Sequence, residues 1–493
     1  MSNLVIMPLL VPLVTAVLLI FFHKRLRAQR ILGAVSALIN IAVALGLVLH
    51  VRGNGIATLQ LGGWAPPQGI VFVADMFAAL LVLTTAIVGA CCLFFAFFTI
   101  GEPRERHYFY PFFHFLLVGV IGSFLTGDIF NLFVCFEVML IASYALIVLG
   151  GTKRQLRESI KYLLINIVSS ALFVTAVAYL YGTLGTLNMA DLSMRVAEAG
   201  QDGLLTLLSV LLLLVFGLKA GLLLFFWLPG SYSAPPPAVA AVFAGLLTKV
   251  GVYAIIRVFT LIFYHDQAVT HVLIGVLAAI TMSAGVIGAI AYRDVHRILI
   301  YNIVAAVGFM AFGLAVASRE ALEGATFYLL HDMLVKALLF LLGGALIAGA
   351  GTSRLAEMGG LIRRFPLLGW LLLVAALALV GVPPTSGFVG KLLIVQGGLA
   401  EGWYWITGIS LASSLLMLYS MMKLFMAAFW GEEPLHRPPS ASRVPTGVYW
   451  PIGALTVLVL ALGVGAQWAM PYVAMAADAL TDPQIYIDAV MKE

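Results

Sequence analysis

The sequence consists largely of consecutive apolar stretches of about 20 residues, separated by short polar connections. A helix of this length crosses the roughly 30 Å hydrocarbon core of a bilayer. Charged residues make up 10% of the chain, against about 25% in soluble domains, and the mean hydropathy is +1.08. We therefore predict an all-α polytopic membrane protein without a separate soluble domain.

Fourteen membrane spans are predicted along the chain. They lie near 4–22, 31–51, 75–98, 109–126, 128–149, 161–183, 204–232, 236–262, 270–291, 297–317, 322–350, 366–398, 404–430 and 447–472. The first stretch has no preceding basic region, which indicates a retained helix and not a signal peptide. The longest polar connections are 52–71, 184–203 and 431–446, the last a proline-rich linker.

The distribution of basic residues predicts the orientation of these spans. With the N-terminus outside, the inward connections carry 17 of the 27 lysines and arginines, and the outward segments carry four. Because basic residues favour the cytoplasmic side, this asymmetry supports both the orientation and the number of spans. The net charge of +5 then reflects membrane topology, and no nucleic-acid partner is expected.

Two spans are interrupted by proline and glycine. The seventh continues into LPGSYSAPPP, with Pro229, Gly230 and Pro235, and the twelfth contains GVPPTSG, with Pro383 and Pro384. Non-helical backbone at membrane depth is tolerated inside protein or beside water, so such breaks mark pathways. Each broken span is the fourth of a five-helix set, spans 4–8 and 9–13, and paired breaks of this kind indicate inverted repeats.

This pattern predicts four regions. Helices 1–3 occupy 1–108, the first five-helix repeat 109–262 and the second repeat 263–430. The fourteenth helix and tail occupy 431–493.

Four lysines lie singly within long apolar stretches, namely Lys219, Lys249, Lys336 and Lys391. A charge at the bilayer centre costs about 2.5–3.5 kcal/mol on insertion scales, so such residues are candidate functional sites. Glu137, in the fifth span, lies at a depth similar to that of Lys219. The two form a candidate ion pair whose opening changes how tightly the lysine holds its proton. A static salt bridge between two helices is the alternative.

The other three lysines differ in their surroundings. Asp332 stands four residues before Lys336 on the same helical face, and His331 points elsewhere, towards another helix or a water chain. Each of these residues also has an explanation that involves no function. The Lys249 side chain could extend to the membrane interface, Lys391 could lie in a loop, and His331 could be a purely structural histidine. Arg257, nearer the outer surface, is predicted to be an interface anchor.

A row of lysines with one carboxylate suits proton transfer, in which each base is transiently neutral and water bridges the gaps. A sodium site needs several convergent oxygens, and the sequence places no such group at mid-depth. Cys91, Cys92 and Cys135 lie inside apolar helices and are interpreted as small core residues. No metal, nucleotide or redox cofactor is predicted.

Several segments together carry a family resemblance. They are WLPGSYSAPPPAVAAVFAGLLTKVGVYAIIR, FEVMLIASYALI, HDMLVKALLFLLGG and GVPPTSGFVGKLLI. The chain resembles the antiporter-like subunits shared by respiratory complex I and the Mrp sodium/proton antiporters, and the SYSAPPP segment and Lys391 favour the Mrp D subunits. The resemblance implies fourteen helices, two inverted five-helix repeats with broken seventh and twelfth helices, and a hydrophilic axis in the membrane plane.

The resemblance also implies roles for individual residues. Glu137 and Lys219 would be the switching pair, Lys249 the central relay, His331 and Lys336 the link onward, and Lys391 the terminal lysine. Related chains often have histidine where Asp332 stands, so His331 is displaced by one position.

These observations favour a secondary-transporter subunit and not an enzyme. We expect a multi-pass protein of the bacterial cell membrane that moves protons and joins other membrane subunits to export sodium. One alternative is a proton-pumping subunit of complex I. The other is a scaffold whose charges only dock neighbouring subunits.

Overall fold

The computed structural model describes residues 3–432 and 444–491. Of the described residues, 82% are helical, which confirms the predicted all-α class. Within these ranges, eleven helices are long and apolar enough to cross a membrane. They are Leu26–Asn54, Met76–Thr99, Ile129–Ile147, Lys153–Leu184, Gly203–Ala220, Pro237–Leu261, Gln267–Ala291, Val295–Val316, Arg319–Ala350, Tyr404–Trp430 and Thr446–Val464.

Shorter apolar helices supply the remaining predicted spans. Met7–Phe21 and Phe109–Leu125 are the first and fourth spans, and Pro366–Val380 with Ser386–Ala400 forms the broken twelfth. Each of the fourteen predicted spans thus corresponds to helix in the described structure. The proline-rich connection near 431–446 falls mostly on residues 433–443, which lie outside the described ranges.

Several elements outside the spans were not predicted. Ala57–Gln60 and Val71–Ala74 pair as an antiparallel hairpin in the connection between spans 2 and 3, with Ala57 opposite Ala74. Met189–Ala199 is a short helix between spans 6 and 7. The last span ends at Val464, earlier than predicted, and two further helices follow it, Ala466–Thr481 and Pro483–Met491.

The break in the seventh span begins before its prolines. The helix ends at Ala220, where Gly221 adopts a left-handed conformation, and Leu223 also has a positive φ of 60°. Pro229 and Gly230 instead lie in a short helix, Leu228–Ser231, where proline occupies the first turn and loses no helical hydrogen bond. The break therefore spans residues 221–227.

In the twelfth span, the first helix ends at Val380 and the second begins at Ser386, so Pro383 and Pro384 lie in the break itself. The eighth and thirteenth spans each contain a π-helical turn, Phe243–Leu247 and Met426–Trp430. Such turns widen a helix locally and free backbone carbonyls for other donors.

The two five-helix sets share their pattern of elements. The fifth and tenth spans each start after an aspartate that caps the helix, Asp128 and Asp294. The sixth and eleventh are each 32 residues long. The breaks fall in spans 7 and 12 and the π-helical turns in spans 8 and 13. This correspondence supports the predicted repeats, and the division at 109, 263 and 431 stays a prediction.

Connections predicted to lie on one side of the membrane contact each other. Arg30, at the start of the second span, pairs with Glu105, between spans 3 and 4, at 2.9 Å. On the opposite side, the Gln201 side chain accepts a hydrogen bond from the His265 backbone N–H at 3.0 Å. The contacts agree with the alternation of inward and outward connections that the basic residues predict.

Close packing of spans 9 and 10 depends on Gly285. A Cβ atom at Gly285 would lie 2.5 Å from the backbone nitrogen of Ala305. We expect Gly285→Val to lower the stability of the purified complex by about 1–3 kcal/mol, since overpacking displaces backbone. Thermal unfolding in detergent measures this change. Gly408→Val is the control, because a Cβ there has no atom within 4 Å; equal destabilisation by both variants would contradict the packing.

Candidate functional site

Two of the predicted proton-transfer residues, Lys249 and Lys336, meet at Asp332 in one buried cluster. The Lys249 ammonium lies 2.8 Å from one carboxylate oxygen of Asp332, and both side chains are 0% exposed. The Lys336 ammonium lies 3.5 Å from the other oxygen of the same carboxylate. Asp332 therefore bridges two lysines from different spans, which we call the Lys249–Asp332–Lys336 cluster. The predicted pairing of Asp332 with Lys336 is present, but the shorter contact is with Lys249.

Backbone carbonyls complete the surroundings of the cluster. Lys249 also donates to the carbonyl of Ala244 at 2.5 Å, inside the π-helical turn of the eighth span. Lys336 donates to the carbonyl of Asn302 in the tenth span at 2.9 Å. Because Lys249 is fully buried, the snorkelling alternative does not describe this structure.

Lys219 lies in the last helical turn before the break in the seventh span. The partial negative charge at a helix C-terminus favours a cation at this position. Its ammonium sits over the Phe136 ring, 5.0 Å from the ring centre, and has no hydrogen-bond partner among the described residues. Burying an ammonium without a partner costs free energy, so Lys219 is a candidate to pair with another group when the protein changes conformation.

Glu137 is half-buried and accepts a hydrogen bond from the hydroxyl of Ser170 in the sixth span. The described structure contains no ion pair between Glu137 and Lys219, although Phe136, the residue before Glu137, lies beneath the Lys219 ammonium. The predicted switching pair is thus apart in this structure, and its switching role stays a prediction.

A close contact between spans 7 and 8 places Lys219 and Lys249 on adjacent segments of backbone. Gly251 follows Lys249 by two residues, and a Cβ atom there would lie 2.5 Å from the nitrogen of Ala220 and 2.9 Å from the carbonyl carbon of Lys219. Spans 7 and 8 can approach this closely because position 251 is glycine. Lys219 therefore lies on the helix that packs directly beside Lys249.

His331 faces the broken twelfth span. Its Nδ1 lies 2.7 Å from the hydroxyl of Ser386, the first residue of the second half-helix, and its Nε2 has no partner in the described structure. One ring nitrogen is thus held while the other is available for a proton or a water. His331 adjoins Asp332 in sequence and connects the cluster to the twelfth span.

Lys391 lies inside the second half-helix of the twelfth span and is not a loop residue. Its ammonium donates to the Val380 carbonyl at 2.8 Å and to the Ser414 hydroxyl at 3.2 Å, and it lies 4.5 Å from the centre of the Phe309 ring. Lys391 thereby satisfies a carbonyl that the helix break leaves free.

Arg257 contradicts its predicted role as an interface anchor. It is buried and pairs with Asp75 at 2.6 Å, and Asp75 also caps the third span through the Ala78 N–H. Its guanidinium lies 5.0 Å from the centre of the Tyr486 ring. The neighbouring spans and the C-terminal helix cover the side chain. This ion pair joins spans 3 and 8 to the tail.

We expect Arg257→Met to destabilise the protein by about 3–5 kcal/mol, because it leaves the buried Asp75 carboxylate unpaired. Adding Asp75→Asn removes that charge and keeps an oxygen for the helix cap, so the double variant should regain stability. Thermal unfolding of the purified protein measures both effects. Arg319→Met, at an exposed pair with Asp478, is the control and should change little. A double variant less stable than Arg257→Met alone would contradict this account.

Comparisons with known proteins identify the family of this chain. Residues 126–428 match the family model described as NADH:quinone oxidoreductase/Mrp antiporter, TM. The chain is 55% identical to the D subunit of the Na+/H+ antiporter of Bacillus subtilis and 49% identical to that of Alkalihalophilus pseudofirmus, with 100% of each chain covered. A chain in the Mrp complex of a Dietzia species superposes with a TM-score of 0.92 at 30% identity, again covering 100% of both chains. The protein is therefore a multi-pass membrane member of the NADH:quinone oxidoreductase/Mrp antiporter family.

Proposed function

We propose that this protein is the proton-translocating subunit of a multisubunit Na+/H+ antiporter. The observation that carries the proposal is the fully buried Lys249–Asp332–Lys336 cluster, in a chain whose full-length relatives are the D subunits of Na+/H+ antiporters. Buried charges at membrane depth are costly, and a purely apolar core would pack the same helices.

The cluster has the chemistry that proton transfer requires. One carboxylate faces two ammonium groups, so loss of a proton from either lysine leaves the other still paired. His331 and Ser386 continue the polar contacts towards Lys391 in the twelfth span. Protons would pass between these groups through transient waters, with Asp332 compensating the charge on the lysines. Asp332 thus joins the residues predicted to transfer protons.

Glu137 and Lys219 act in this proposal as a switch at the start of the path. Here Glu137 accepts a hydrogen bond from Ser170, and the Lys219 ammonium lies over an aromatic ring without a hydrogen-bond partner among the described residues, which corresponds to the open arrangement. Moving one charge across the membrane yields about 2.3 kcal/mol per 100 mV. Inward proton flow would open and close the pair, and the coupled sodium export would occur in a partner subunit.

The family includes both antiporter and respiratory members, so a complex I subunit is the second candidate. Full-length identities of 55% and 49% to antiporter subunits favour the first. The scaffold alternative predicts that neutralising the buried charges disrupts assembly but leaves transport per assembled complex unchanged. In the antiporter proposal, the partners of this chain are the other membrane subunits of the antiporter. The polypeptides that co-purify with the chain identify these subunits.

The switch is tested with Lys219→Ala and Glu137→Ala in the complete complex. We expect both variants to lose most Na+/H+ antiport in membrane vesicles, because each removes one charge of the pair. Antiport is measured as sodium-induced dissipation of a proton gradient and normalised to assembled complex. Near-normal rates in both variants would refute the switch.

Asp332→Asn tests the cluster. Removing the shared carboxylate leaves Lys249 and Lys336 facing each other without a counter-charge, so we expect antiport to fall at least tenfold. Glu323→Gln is the matched control, because Glu323 lies on the same helix near its outer end and pairs with the exposed Arg319. If both variants retained the same antiport rate, Asp332 would have no role in transfer.

A further inference from the structure

A wide groove opens at the end of the molecule that is predicted to face the cytoplasm. Its volume is about 1170 Å³, and it lies between the start of the sixth span, the connection from span 7 to span 8, and two inward connections. Those two connections meet where the Val295 N–H donates to the Ser353 carbonyl at 2.9 Å. None of the residues of the proton path lines this groove.

The groove carries an excess of positive charge. Its lining includes two carboxylates, Glu158 and Asp294, and six cations, namely Lys153, Arg154, Arg157, Lys161, Arg297 and Arg354. Glu158 pairs with Arg157 at 2.8 Å and with Lys161 at 3.4 Å. Asp294 caps the tenth span through the Arg297 N–H and accepts from the Ser353 hydroxyl. Both carboxylates are thus engaged within the groove.

Three of the cations have no carboxylate partner in the described structure. Arg154 donates to the hydroxyl of Ser233 at 2.7 Å, and the Arg297 guanidinium lies 4.5 Å from the centre of the Tyr292 ring. Lys153 is exposed at the start of the sixth span. The guanidinium and ammonium groups are therefore free to bind the oxygens of an anion.

An apolar surface continues from the groove towards the membrane. Leu164 and Phe226 line the groove and are 58% and 65% exposed. On the sixth span, Ile160, Leu164 and Val168 recur every four residues and form one exposed stripe. A basic pocket beside an exposed apolar stripe matches a ligand with an anionic head and a hydrocarbon chain.

We propose that this groove binds an anionic phospholipid of the cytoplasmic leaflet, with the phosphate among the unpaired cations and an acyl chain along the Ile160–Leu164–Val168 stripe. Basic pockets between membrane helices are the usual sites for such headgroups. The stripe lies on a membrane-spanning helix, so the acyl chains of the bilayer reach the edge of the groove and bring lipid headgroups beside its cations. A zwitterionic lipid would compensate less of the positive charge.

The bound lipid would join separate parts of the chain. The groove also includes Pro229 and Gly230, and a Cβ atom at Gly230 would lie 2.1 Å from a carboxylate oxygen of Glu158. The sixth span therefore packs directly against the connection that follows the broken seventh helix. A headgroup bound here would hold that connection against spans 6 and 10.

The test uses the complete complex purified in neutral detergent and titrated with phosphatidylglycerol or phosphatidylcholine, with bound lipid measured by native mass spectrometry. Arg154→Gln/Arg297→Gln should weaken phosphatidylglycerol binding by roughly fivefold for each removed charge. Lys153→Gln removes one exposed charge and should therefore weaken phosphatidylglycerol binding by roughly fivefold. Arg363→Gln/Arg364→Gln is the matched control, because it removes two exposed inward charges outside the groove.

Selective loss of phosphatidylglycerol binding in the groove variants, with the control unchanged, supports the site. Equal loss in the control would show general charge attraction and overturn it. Displacement of phosphatidylglycerol by millimolar inorganic phosphate would identify a free-anion site and reject the lipid. Loss of a co-purifying polypeptide from the groove variants would identify a protein interface and also reject it.

Discussion

The ion pair between Lys249 and Asp332 is the interaction on which the rest of the site depends. It joins spans 8 and 11 at 2.8 Å with both side chains fully buried. A buried pair of this kind holds only if its geometry is good and its remaining donors are satisfied. The π-helical turn before Lys249 supplies a carbonyl for the second requirement, and Lys336 shares the other carboxylate oxygen. The backbone irregularity thus supplies an acceptor for the Lys249 ammonium, and the second lysine adds a positive charge beside the buried carboxylate.

The irregular segments have a common physical role. At the break in the twelfth span, the Val380 carbonyl is satisfied by Lys391. At the break in the seventh, the Trp227 indole donates to the Leu218 carbonyl at 2.9 Å. Water is scarce at these depths, so side chains must replace it as donors to the freed backbone. Three of the four isolated lysines, Lys249, Lys336 and Lys391, donate to backbone carbonyls. For Lys249 and Lys391, the accepting carbonyl lies at an irregular segment of a span.

The sequence was sufficient to predict the number and order of the spans, because each must satisfy its backbone as a helix of membrane length. It also located the four lysines and the two broken spans. It could not identify the partner of Lys249, because Asp332 lies on another span and pairing depends on helix rotation. The burial of Arg257 was missed for the same reason. The start of the seventh-span break was misplaced because Gly221 and Leu223 end the helix, and neither is as strong a signal as proline.

The most direct test of the account is antiport by the double variant Lys249→Met/Asp332→Asn in the complete complex, measured as sodium-driven proton movement per assembled complex. This variant removes both charges of the pair, while Lys336 keeps its hydrogen bond to the Asn302 carbonyl. Because one positive and one negative charge are removed together, the net charge of the cluster is unchanged, so assembly and thermal stability should persist. The account predicts a stable, assembled complex with little or no antiport. A stable complex with near-normal antiport would contradict it and leave the buried charges a structural role alone.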